Sequence, residues 1–180
     1  MALFDTIKNQ VTSQLKREES FTFTSLPTSV AELKALPEAS LDSAFKTTAL
    51  CIAVLCHLEK DANATWEMLE YLKGPENVNE REKAFIKERL MGKQYKTFSF
   101  FNGATPENGY TPATPYTITV SENPYSFDEE NWATLYVTSG GADAPRPIKL
   151  RRKPSTNQWF INDIQCLANI RIPTEQDAWA

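Results

Sequence analysis

The sequence predicts an α+β fold, with about four helices in the first half packed on an antiparallel sheet of about five strands in the second. Two observations carry this. The apolar period is about 3.6 as far as Gly92 and about 2 beyond it. The separators in the second half, Asn123-Pro124, Gly140-Gly141 and Pro154-Ser155, are turn pairs that suit antiparallel connections better than helical crossovers. This order of helices and then a curved sheet also looks like nuclear-transport-factor-like or cystatin-like architectures, a likeness of layout only.

Taken in order, Leu3, Phe4, Ile7, Val11 and Leu15 recur at helical spacing among Lys8, Gln14 and Lys16, which describes an amphipathic helix over 1–20. It would pack on the domain that follows, or attach to a partner or a membrane surface. The remainder, 21–180, reads as one domain, helical over 28–92, sheet over 94–165 and a docked tail over 166–180. Phe21–Thr24 alternates as a short strand. Ser29 and Glu32 fit a capping box for a helix Val30–Leu36 that stops before Pro37. Between Leu41 and Leu58 apolar residues occupy every face, as in a helix wrapped by the rest of a fold. Asp61 or Asn63 caps a third helix carrying Trp66, Leu69 and Leu72, which Gly74-Pro75 ends. Asn79 and Glu82 open a fourth that runs to Gly92.

Five stretches then alternate as strands: Tyr95–Phe101, Tyr116–Val120, Trp132–Thr138, Ile148–Arg152 and Gln158–Ile161. Trp179 in the tail is expected to dock on the domain, because an indole buries a large apolar area. Docking on a second subunit is the alternative.

Composition narrows the function classes. A net charge of -4, from 19 basic and 23 acidic residues, gives no reason to expect nucleic acid as the partner. Three cysteines without CxxC spacing and a single histidine offer no metal cluster, no cofactor is implied, and a reduced cytoplasmic setting is expected. The first residues lack the apolar core of a signal peptide. The longest apolar run, Ala49–Leu58, is too short for the roughly 20 residues that cross a bilayer, so no transmembrane segment is expected.

No catalytic constellation emerges. Cys56 and His57 are adjacent, but neighbouring helical residues point about 100° apart and cannot form a nucleophile–base pair. The candidates for ligand or partner binding lie on loops and one strand. Asn108 and Tyr110 sit in the Gly/Pro/Thr-rich loop 102–115, which reads as a binding segment or as a rigid connector with Tyr110 packed beneath it. Asn123 and Tyr125 form a turn with an aromatic tip. Asp143 follows Gly140-Gly141, where backbone N–H groups would turn toward an anion or simply close a hairpin. Arg146, Lys149 and Arg151 belong to the one basic cluster of an acidic chain, with Lys149, Arg151 and Lys153 on one sheet face. That stripe would bind phosphate, an acidic partner or a nucleic-acid backbone, with Tyr136 or Trp159 adding stacking, or it is a solvated face.

The phrases LPTSVAELKALPEASLDSAFKTTAL (26–50), GATPENGYTPATPYTITVSENPYS (103–126) and SGGADAPRPIKLRRK (139–153), with IRIP near the end, resemble a family of uncharacterised bacterial domains. That resemblance implies no activity, substrate or site residue. The leading reading is a non-enzymatic module that binds a protein or a small anionic ligand. A small enzyme with a pocket between helices and sheet, using Cys166 or His57 with Asp143 or Asp163, is the alternative. A structural subunit of a homo-oligomer is the third.

Overall fold

The computed structural model describes residues 17–180. Five helices, α1 (Val30–Lys34), α2 (Ala44–Leu55), α3 (Ala62–Lys73), α4 (Glu80–Leu90) and α5 (Tyr95–Phe98), lie between the first and second strands of a five-stranded antiparallel sheet. The strands, β1 (Glu18–Phe23), β2 (Tyr116–Ser121), β3 (Trp132–Val137), β4 (Arg146–Lys153) and β5 (Gln158–Ile164), are ordered in space as in sequence.

The helix starts follow from local chemistry. Ser29 Oγ accepts from Glu32 N, Asp61 Oδ1 from Ala64 N, and Asn79 forms a reciprocal capping box with Glu82. Helix α2 begins at Ser43, whose Oγ accepts from Phe45 N. With Leu50, Ile52, Val54 and Leu55 all without solvent exposure, α2 is buried all round and touches all five strands. Its two buried hydroxyls are satisfied, Thr48 Oγ1 by Ala44 O and Thr47 Oγ1 by Trp159 O, both at 2.8 Å. Helix α3 ends at Gly74, where a φ of 65° and the Phe160 ring standing in the space of a Cβ both call for glycine.

The sheet alternates except at a bulge between β4 and β5. Phe21, Ile118, Leu135, Leu150 and Ile161 face α2 and are buried, while the opposite face carries polar side chains together with Trp132 and Tyr136. Across β1 and β2 that outer face is a hydroxyl ladder, with Ser20–Thr119 at 3.0 Å and Thr22–Thr117 at 3.2 Å.

Three expectations need correction or restatement. The stretch Tyr95–Phe101 is not a strand, so the sheet does not begin at 94. Gln94 donates to Leu55 O at the end of α2 and to Thr97 Oγ1, which folds Tyr95–Phe98 into a short helix against the core. Only Phe101 keeps a bridge, to Ile118 of β2. The fifth strand is β1, which pairs with β2 from Glu18↔Ser121 to Phe23↔Tyr116. The amphipathic helix expected over 1–20 lies mostly outside the described residues, and its last three positions, 18–20, belong to β1. The tail docks through Cys166, Leu167 and Ile170, which are buried, but Trp179 is 95% exposed. Among the described residues no helix is long and apolar enough to cross a membrane.

Candidate functional site

Strand alternation sends Trp132, Thr134 and Tyr136 of β3 to the outer face, and the same period sends Lys149 and Arg151 of β4 there. The register sets Trp132 opposite Arg151 and Thr134 opposite Lys149. Both cations therefore settle over one indole, with Lys149 Nζ 4.7 Å and Arg151 Cζ 5.1 Å from the ring centroid. Lys149 makes no ion pair among the described residues. Arg151 has only Glu76, 3.6 Å away and itself exposed, so solvent and salt weaken that pair. The outer face thus combines an aromatic plane with two cations, Arg151 loosely paired with Glu76 and Lys149 standing opposite Asp163 in the ladder without an ion pair to it.

Asn123 and Tyr125 join the same face. Asn123 Nδ2 donates to Tyr136 Oη at 3.0 Å, and Asn123 Oδ1 accepts from Tyr125 N at 2.9 Å. The turn is held by its own side chain, and Tyr125 stands 75% exposed at its tip.

The other four candidates lie elsewhere, around the C-terminal tail, with Tyr110 buried and Asn108 and Asp143 exposed. Asn108 spends its whole amide on the loop, accepting from Thr105 N and Thr111 N and donating to Gly103 O and Thr111 O. Tyr110 is 2% exposed, stacks on Tyr95 with centroids 5.4 Å apart, and donates its hydroxyl to Arg171 O. Burial pushes its phenol up from the ordinary range. Arg171 donates to Asp143 at 2.8 Å, which holds that carboxyl below the usual carboxylate range. Arg146 donates to Asn169 O at 2.9 Å. Tyr110, Asp143 and Arg146 clamp the tail to the loop and to the β3–β4 hairpin, while Asn108 shapes the loop itself.

The cysteines are poorly placed for nucleophilic chemistry. All three are buried and unpaired, and burial pushes the Cys51 and Cys56 thiols up to about 12 and Cys166 well above its ordinary value. His57 lines a cavity of about 250 Å³ with Lys60, Thr24, Thr28 and Tyr116. Among the described residues no group of three or more His, Cys, Asp or Glu side chains could hold a metal ion.

Trp132 is the residue the sequence reading missed. Trp159, considered in its place, packs on the helix side against Phe127, with ring centroids 5.8 Å apart and Phe45 beyond. The signal lay in the matched periods of Trp132-x-Thr134-x-Tyr136 and Lys149-x-Arg151, which only the register joins.

Among known proteins, the model of a family described as a domain of unknown function (DUF6935) matches residues 25–174. That span holds all five helices and four of the five strands, and leaves β1 and Trp179 outside. No curated protein and no solved structure matches the chain.

Proposed function

The chain belongs to the DUF6935 family, and since that family brings no activity with it, we propose from the chain's own chemistry that it is a non-enzymatic module binding an acidic protein segment on its outer sheet face. The observation that carries this is the pair Lys149 and Arg151 over Trp132. A carboxylate-bearing segment laid across β3 and β4 would replace water around two cations while its apolar groups cover the indole. Tyr136 and the Asn123–Tyr125 turn extend that surface. The module works in the reducing interior of the cell, a setting that three buried, unpaired thiols support.

The test is an isotope-labelled NMR titration of the full chain with a Glu-rich peptide. Saturable shifts of the Trp132 indole N–H and the Lys149 and Arg151 amides support the reading. In the double variant Lys149→Ala/Arg151→Ala, binding falls about tenfold, the worth of two exposed charge contacts. Shifts spread evenly over the surface, or none, sink it.

A small enzyme built around His57 is the second reading, favoured by the cavity that residue lines. It gives Cys56 no part as nucleophile, because that thiol is held protonated by burial.

A further inference from the structure

Strand β5 is an edge of the sheet, and the arm formed by the end of α3 and the start of α4 leaves a cleft along it. Two cavities of about 280 and 250 Å³ open there, and both are lined by Lys73 and Asn162. The backbone explains why those two residues meet at the seam.

In the ladder between β4 and β5, Lys149 pairs with Asp163 and Leu150 with Ile161, so Asn162 has no residue opposite it. A bulge of this kind re-aims a side chain out of the regular alternation. The Asn162 amide makes no side-chain hydrogen bond among the described residues. Lys73 is the last residue of α3, and although it carries a charge it is only 5% exposed. Glu82 at the start of α4 takes one of its donors, and the others have no acceptor among the described residues. Lys73 also lines both cavities, so a carboxylate entering at the seam meets this ammonium beside Glu82.

The walls specify the rest of the ligand. One cavity is apolar on the side of Leu69, Val78, Ile86 and Ile164, and its rim carries Arg81, Glu82 and Asp163. The other brings Arg151, Arg152 and Lys153 against a single carboxylate, Glu76. The geometry points to a small-molecule site for an organic carboxylate, with one oxygen on Lys73 Nζ, the other on the Asn162 amide, and an apolar chain against Leu69, Val78 and Ile164. This goes beyond the outer-face reading, since neither Lys73 nor Asn162 belongs to that face, and Arg151 is the one residue that borders both.

The experiment uses the full chain with two probes of equal length, octanoate and octan-1-ol, followed by the NMR signals of the Asn162 side-chain amide and the Val78 and Ile164 methyls. Octanoate shifts these signals saturably and binds about tenfold more tightly than the alcohol, the worth of a charge-assisted contact. Lys73→Met erases the preference. Asn162→Ala, which leaves the Lys73–Glu82 pair intact, reduces it and decides the matter if the Lys73 variant does not fold. Lys149→Ala leaves octanoate binding unchanged while weakening the Glu-rich peptide, so the two sites fail or stand separately. Equal binding of the two probes, shifts elsewhere only, or an unaltered preference in Asn162→Ala overturns the assignment.

Discussion

The two ends of the β3–β4 hairpin carry similar residues and use them in opposite ways. At the turn end, Arg146 donates to Asn169 O and Asp143 takes the Arg171 guanidinium, so the charges are spent tying down the tail. At the open end, Lys149 and Arg151 rest on Trp132, and the only ion pair either makes among the described residues is the long, exposed one from Arg151 to Glu76. A polar residue bonded within its own chain contributes to stability, and one left against an aromatic plane in water is available to something else. Composition does not separate the two cases. The fate of each donor does.

The strongest way to break this comparison is Tyr110→Ala at the clamped end. Loss of the buried ring and its stack on Tyr95 is expected to cost about 3 to 5 kcal/mol in a denaturant titration, with peptide binding at the outer face preserved in the folded fraction. Asn108→Ala removes four bonds that shape the same loop. Its expected cost is about 1 kcal/mol by the same measurement. A loss of peptide binding in either folded variant would join the two ends into one site.

Lys96 sharpens the comparison through pH. It is a buried cation at the clamped end whose only hydrogen-bond partner among the described residues is Leu167 O, at 3.3 Å. Burial first, then Lys93 and Arg89, lower its pKa. The unfolded chain therefore holds that proton more tightly than the native one. Stability rises with pH between the lowered native value and the unfolded value of about 10.4. Unfolding midpoints taken as the pH approaches about 10.4 from below should climb in the wild type and flatten in Lys96→Met.

The smallest stability effect belongs to the open end. Lys149→Ala/Arg151→Ala should stay within about 0.5 kcal/mol of the wild type, as surface changes usually do. A larger loss would mean that these cations serve the fold.

Much of the helical half was legible because caps are local. Ser29, Asp61 and Asn79 with Glu82 announce helix starts within a few residues, and each does so here. The sheet was legible in its strands from β2 onward and not in its membership. Tyr95–Phe101 has strand-forming residues, yet the bonds that Gln94 makes to Leu55 O and Thr97 Oγ1 come from packing, which no short window contains. Of the candidate site, Lys149 and Arg151 were readable from charge and period. Trp132 was not, because its place beside them depends on register across a hairpin. Trp179 misled for a related reason: its size is written in the sequence and its surroundings are not.

The pairing of β1 with β2 also bears on how the protein is made. The strand that leaves the ribosome first among the described residues has as its only sheet neighbour a strand that follows all five helices. Until β2 emerges, Phe21 and Phe23 have no ladder to join, and that edge of the sheet closes through a contact distant in sequence, the kind that slows folding. During synthesis the helices can assemble around α2 while β1 waits unpaired, so this border of the sheet is left open to errors of assembly for longer than the β3–β4 hairpin.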